Sequence, residues 1–275
     1  MQISFIDLIN QKLEEGDVEL PVFDTVSQQV YTAVQSGEVD VPAICEIMQS
    51  DPILVSEVLR LANSSFFSGL SEVVTLQDAI VRLGMKQMSA LVMSISQKRM
   101  YSASEGMFRS RMTQLWEHVF AASLSARWIA DKTGNRKLTD HAHVATLLHD
   151  VGKLSLLRII EDLAKSEELP LNDNLVDTTL DRLYCEHGAQ LLSLWGLPES
   201  LCEVVRTQND EEFDQSNILL SIVKLADKAC AKEGVSDRPD PELDLESLPE
   251  TRYLGIDEIT LAELRISIED MRSAA

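Results

Sequence analysis

Apolar residues recur at spacings of three and four along most of the chain, and strict apolar–polar alternation bounded by turn residues is scarce. The pattern therefore predicts an all-α protein, a multi-helix bundle. A first helix is expected over residues 5–14. In LPVFDTVSQQVYTAVQSG, Val22, Val26, Val30 and Val34 share one helical face, and Gly37 follows as a C-terminal stop. Asp40 is placed to cap VPAICEIMQS, and Asp51 with Pro52 supplies an N-cap and first-turn proline for ILVSEVLRLANSS. Thr75 and Asp78 have capping-box spacing, with Asp in place of the usual Glu or Gln, before a helix ending at Leu83-Gly84. The double phenylalanine Phe66-Phe67 is expected to pack within this lobe.

Polar and Ser-rich residues over 101–110 mark an internal boundary, after which Thr113 opens a helix running to a stop at Gly134. Thr139 opens the next one, which ends in AHVATLLHDVGKLSLL. There the apolar run breaks at His149-Asp150 and resumes after Gly152. Further helices are expected over 178–195, 198–206 and 217–231. The stretch VSDRPDPELDLESLPETRYL has three prolines and many acids, so it is expected to be an extended linker or solvated loop before a terminal amphipathic helix at 256–271. Three units result: an N-terminal lobe at 1–108, a second helical lobe at 109–234, and the acidic segment with its helix at 235–275.

Charge narrows the partners. A net charge of −21 repels a phosphate backbone, so direct binding to a nucleic-acid polymer is not expected, and protein partners or metal ions are favoured. No apolar run approaches bilayer-spanning length and the N-terminus lacks a basic signal-peptide region, so the default expectation is a cytoplasmic protein without a membrane segment. Cys45, Cys185, Cys202 and Cys230 are scattered and form no CxxC, which predicts reduced thiols.

The chemistry gathers at a few out-of-place polar residues. His149 and Asp150 sit side by side in an apolar run. His118 and Asp227 lie inside other predicted helices, where a carboxylate or imidazole needs a compensating partner. Two imidazoles and two carboxylates from three helices could bind one divalent transition metal, Mn, Fe, Ni, Co or Zn, with positions left for water. The same residues could instead form a metal-free hydrogen-bonded cluster, with Asp150 capping the following helix. If the site is catalytic, Asp150 would act with a metal-bound water and Lys153 would neutralise a phosphate, the alternative for Lys153 being an ordinary surface position. His187 is either a residue supporting the site or contacting substrate, or part of a solvated helix face. His141 and His143 lie two apart, cannot chelate together, and are expected to face solvent. Trp116, Trp128 and Trp195 stand in apolar runs as packing anchors.

His118, then His149-Asp150 in LLHDVGKL, then Asp227 in VKLADKA, resembles the H…HD…D signature of the HD superfamily of metal-dependent phosphohydrolases. The ordered blocks LPVF, DPILVSEVLRLANSSFF, TLQDAIVRLG, LWEHVFAASLSARWIA and EHGAQLLSLWGLP extend the resemblance, more specifically to HDOD-domain proteins, over about residues 15–232. It implies an N-terminal helical lobe packed on an HD-like lobe. It also implies a bacterial-type signal-transduction or regulatory module that binds a protein partner or small phosphorylated ligand and carries no sensor block of its own. The alternative is a metal-dependent phosphohydrolase acting on a nucleotide or phosphate ester. The further histidines and GYP segment of HD-GYP phosphodiesterases are absent; VVRTQND stands where an HH pair would follow WGLP, so one metal is the most these ligands allow.

Overall fold

The computed structural model describes residues 5–15, 20, 24–63, 72–101, 106–167 and 171–272. Val22 and the Phe66-Phe67 pair lie outside the described residues. Among the described residues the chain is helical and has no strand.

The N-terminal lobe is assembled by local caps. After α1 (Phe5–Glu15), Asp24 caps α2 (Thr25–Ser36), which stops at Gly37 with φ +70°, a left-handed turn that glycine adopts without a steric penalty. Asp40 accepts from Ala43 N to start α3 (Val41–Gln49). Asp51 accepts from Ile53 N and Leu54 N to start α4 (Pro52–Ala62). Thr75 Oγ1 accepts from Asp78 N at 3.0 Å and donates to Asp78 Oδ2 at 2.6 Å at the head of α5 (Leu76–Leu83). Then α6 (Met85–Met100) runs through the lobe and closes its apolar core, in which Val30, Ile44, Met48, Leu54, Val58, Ile80, Met88 and Val92 are buried. Of the predicted α2 stripe, Val30 and Val34 are buried and Val26 is partly so.

The second lobe is organised by α7 (Gly106–Lys132), which begins seven residues before the expected Thr113. Phe108, Met112 and Leu115 recur at helical spacing and are buried, so their face sustains the extra turns despite the polar residues opposite. Against α7 pack α8 (Thr139–Leu148), α9 (Val151–Glu167) and α12 (Ile218–Lys232); α10 (Asp173–Leu194) lies on α9 and α11 (Glu199–Thr207) on α10. The lobes are tied by Gln28 Nε2, which donates to Trp195 O at 2.8 Å. Trp116 stacks on Phe120 with centroids 5.1 Å apart, as a packing anchor should. The four cysteines are free.

Two expectations are corrected here. The acidic stretch is not a solvated loop: it holds a short helix, α13 (Pro249–Tyr253), and buries Val235, Leu245, Glu250 and Thr251 before α14 (Glu258–Arg272) packs on α7. Its prolines and acids mask five inward-facing side chains, these four and Leu254, spaced too irregularly to register as a period. His143 is the second correction. It is 4% exposed, not solvent-facing, and its Nε2 lies 3.0 Å from Ser94 Oγ of α6, across the lobe interface. His141 is partly buried.

Candidate metal centre

α8 ends at Leu148 and α9 begins at Val151, so His149 and Asp150 occupy the break itself. The helix resumes before Gly152, not after it, because Asp150 O accepts from Lys153 N at 2.9 Å and Leu154 N at 3.3 Å and starts the new turn. Gln208 Nε2, at the end of α11, donates to His149 O at 2.7 Å, satisfying a carbonyl the break would otherwise leave bare. Gly152 and Gly188 let α9 and α10 touch backbone to backbone. A Cβ on Gly152 would fall 1.9 Å from Tyr184 O, and one on Gly188 would fall 3.1 Å from Gly152 N. The close crossing fixes the first turn of α9, and with it Asp150 and Lys153.

His118, from the middle of α7, and Asp227, from α12, meet this break. His118 Nε2 lies 3.3 Å from His149 Nε2 and 3.1 Å from Asp227 Oδ1. His149 Nε2 lies 3.7 Å from Asp227 Oδ1, and Asp150 Oδ2 lies 3.7 and 3.6 Å from the His118 and His149 Nε2 atoms. The tighter trio is His118, His149 and Asp227, whose ligand atoms all lie within 4.8 Å of one another. Asp150 stands slightly apart. Its Oδ2 forms an ion pair with Lys153 Nζ at 2.9 Å but receives no well-directed hydrogen bond, although the side chain is 2% exposed.

The imidazoles are aimed by backbone carbonyls. His118 Nδ1 is 2.9 Å from Val235 O and His149 Nδ1 is 2.5 Å from Thr146 O. These acceptors assign both Nδ1 atoms as donors, so in the neutral rings both Nε2 lone pairs face the same point. Two lone pairs 3.3 Å apart repel unless a cation or proton lies between them. The donor set therefore fits a divalent transition metal held by His118, His149, Asp227 and Asp150. In the metal-free chain a proton serves instead. Burial alone would depress the His118 pKa, but Asp227 and Asp150 outweigh it and raise it to about 9, while the imidazoles hold the Asp227 carboxyl well below its ordinary value against the desolvation of its inner face.

Lys153 is kept charged in the same way. Burial opposes its charge, but Asp150, and Asp237 at 3.1 Å, raise its pKa above the ordinary lysine value. Its Nζ also sits 4.9 Å from the centroid of the Tyr184 ring. His187 is 6% exposed and bonded through Nε2 to Ser155 Oγ of α9 at 2.9 Å, beside the site and not in the converging set. Val235, Thr146, Gln208 and Asp237 escaped sequence reasoning. Three of them act in part through backbone carbonyls or bonds to them, which residue type does not reveal. Asp237 was hidden in the acidic run. The glycines of HDVGKL and EHGAQ were the available signal for the close crossing.

Asp227 is the open side: its side chain is 43% exposed and borders a pocket of about 390 Å³ lined by Asn209, Asp210, Lys228 and Glu250. On the other side, Lys153 and Asp237 form part of the wall of a second cavity of about 370 Å³.

Known proteins bear on this geometry. An uncharacterized protein of Treponema pallidum (strain Nichols) is 24% identical over 194 residues, 68% of the chain, and the chain spans 37% of that relative's length. Among solved structures, an HDOD domain protein of unknown function from Geobacter sulfurreducens aligns with a TM-score of 0.78 at 22% identity, over 97% of this chain and 96% of that one. A candidate metal-dependent phosphohydrolase from Shewanella amazonensis SB2B aligns with a TM-score of 0.77 at 16% identity, over 97% of both chains. A candidate signal transduction protein from Marinobacter aquaeolei VT8 gives 0.67 at 20% identity, over 99% of this chain and 66% of that one. At these identities the likeness establishes the helical fold. No described helix is long and apolar enough to cross a membrane. The HDOD domain family matches residues 20–211, more than half of the 275, and takes in His118, the His149-Asp150 pair and Lys153: the chain belongs to the HDOD domain family.

Proposed function

We propose that the protein is a signal-transduction module of the HDOD type whose HD-derived site holds one divalent transition metal and responds to a protein partner or small phosphorylated ligand. One observation carries the metal assignment: two carbonyl-anchored imidazoles point their Nε2 atoms at one locus, 3.3 Å apart, with Asp227 Oδ1 3.1 Å from the first. The lack of the extra histidines of HD-GYP enzymes favours regulation over turnover. So does the Asp150–Lys153–Asp237 chain of ion pairs, which joins the site to the segment after α12.

A second reading, a metal-dependent phosphohydrolase, is supported by the exposed side of Asp227. A pocket there could admit water and a phosphate ester to the metal, and such a metal supplies an activated water and charge neutralisation. In that reading Asp150 and Lys153 would hold the proton and the phosphate charge. A single experiment series separates the possibilities. Protein purified without chelator is analysed for Mn, Fe, Co, Ni and Zn, reconstituted with each, and assayed against nucleotides and phosphate esters. Stoichiometric metal without turnover supports the regulatory module; turnover lost in Asp227→Asn supports the hydrolase. Absence of stoichiometric metal after reconstitution refutes both.

A further inference from the structure

We infer that the 370 Å³ cavity beside the metal centre is a binding pocket for a small phosphate monoester with an apolar or ring-bearing body. This rests on the reading of the protein as a responder to small phosphorylated ligands, and it locates that ligand away from the metal. The cavity lies between α7, α9, α10 and the segment after α12. Three cations, Arg111, Lys153 and Arg238, line it together with three carboxylates, Asp173, Asp177 and Asp237, so an anion enters by displacing carboxylates from these cations. Its apolar wall is formed by Met107, Leu115, Leu157 and Leu180. The volume is at the small end of the roughly 300–1,000 Å³ usual for ligand pockets, which suits a mononucleotide-sized molecule and excludes a polymer.

The charges decide the anion. Arg111 is only 20% exposed and is fixed in the wall, and the two carboxylates on its fork, Asp177 and Asp173, line the same cavity but are more exposed than the guanidinium they hold. Nη1 holds Asp177 at 2.5 Å and Nη2 holds Asp173 at 2.7 Å, and those acids are 43% and 77% exposed. Exposed pairs of this kind are weak, about 0–1 kcal/mol, so both acids can turn into water at little cost. One phosphate dianion presents two oxygens to the same guanidinium fork and replaces two carboxylates at once. Arg238 is likewise paired with a half-exposed acid, Asp181 at 2.6 Å. Lys153 is the link to the metal centre. It bridges Asp150 at 2.9 Å and Asp237 at 3.1 Å, so an anion in the cavity competes with Asp237 for the same ammonium. Asp237 stands two residues beyond Val235, whose carbonyl aims His118. Ligand binding is thereby coupled to the segment that orients a metal ligand.

The full-length protein is titrated calorimetrically at physiological salt with adenosine 5′-monophosphate, phenyl phosphate, inorganic phosphate and adenosine. The esters are expected to bind, and inorganic phosphate and adenosine each to bind at least about tenfold more weakly, since each offers half of the recognition. Arg111→Ala removes the fork and is expected to weaken the esters by about tenfold or more. Because that variant also unties α7 from α10, Ser110→Trp, at an exposed position on the rim, provides a second block that leaves the ion pairs in place. Asp227→Asn disables the metal centre without touching the cavity wall and is expected to shift ester affinity less than Arg111→Ala does, which separates failure of this inference from failure of the metal assignment. The inference is overturned by any of three outcomes: no ester binds the wild type with a Kd below about 1 mM, or about −4 kcal/mol; inorganic phosphate binds as well as the esters; or ester binding survives both Arg111→Ala and Ser110→Trp.

Discussion

Replacing Gly152 with alanine should be among the most damaging single-methyl changes in the chain. In an ordinary helix the substitution helps, by about 1 kcal/mol of propensity. Here the added Cβ would sit 1.9 Å from Tyr184 O, 2.8 Å from Tyr184 C and 2.9 Å from Gly188 N, all backbone atoms of α10. No rotamer relieves a contact with backbone. The helices must separate by about 1 Å or more to reach ordinary contact, and interiors packed at crystal-like density resist that. Overpacking of this kind costs about 1–3 kcal/mol and occasionally more; a clash with rigid backbone belongs at the upper end, so after the propensity gain the net loss is about 2 kcal/mol or larger. The carbonyl of Tyr184 is also pushed, and with it the ring over Lys153, so metal affinity should fall together with stability. Urea denaturation of wild type and variant, with metal titration of both, makes the comparison. Gly188→Ala provides a graded control, because its Cβ meets the movable Val205 side chain at 3.0 Å and Gly152 N at 3.1 Å. A Gly152→Ala protein as stable as wild type, or more so, would refute the close-crossing argument.

Other expectations follow from groups elsewhere. Glu250 is fully buried, with Lys228 at 2.9 Å and the buried Lys224 at 3.9 Å, so Glu250→Ala leaves the Lys224 ammonium in the interior without its carboxylate and should cost about 3 kcal/mol, measured by denaturant titration; a loss under about 0.5 kcal/mol would restore the picture of a solvated loop. Asp51→Ala removes a cap with two backbone bonds and the Arg99 pair at 2.5 Å, with an expected loss of about 1–2 kcal/mol, seen as a lowered Tm. Burial lowers the pKa of both His143 and His187 to about 4, below the ordinary histidine value of 6.5. Between those values the unfolded chain binds more protons than the folded one, so stability is complete above pH 6.5 and is lost as pH falls toward 4. Each histidine contributes on the order of 3 kcal/mol to the total loss across that window, at a slope of at most about 1.4 kcal/mol per pH unit. Denaturation at pH 7, 6 and 5 should show the decline, and His187→Gln should flatten it; an unchanged slope would place that histidine in water. Replacing either His118 or His149 with alanine should weaken metal binding by at least about tenfold; the first removes the imidazole donor to Val235 O, and the second leaves Thr146 O with the backbone N–H of residue 149.

Much of this was visible in residue order. Asp40, Asp51 and Thr75 act as caps because a short acceptor side chain before an apolar period has one low-energy use, and Gly37 and Gly84 stop helices for an equally local reason. The convergence of His118, His149, Asp150 and Asp227 was legible because each was a costly group in an apolar frame. What was not legible depends on distance along the chain. His143 is buried by Ser94, 49 residues earlier, and the acidic run is held by α12 and α7, whose surfaces no local window contains. The true start of α7 was obscured because polar residues on its outer face resemble a boundary when the inner face is not separated from it.

The carbonyl of Val235 that orients His118 lies well past residue 211, where the family match ends, and so does Asp227. The matched segment therefore does not hold the whole candidate site. A graft of residues 20–211 into another protein would transfer His149, Asp150 and Lys153 but leave behind a ligand, an orienting carbonyl and the partner of Lys153. The portable unit extends at least through Asp237. Folding of the matched segment and completion of the candidate site are thus separable properties, the second depending on α12 and the segment after it.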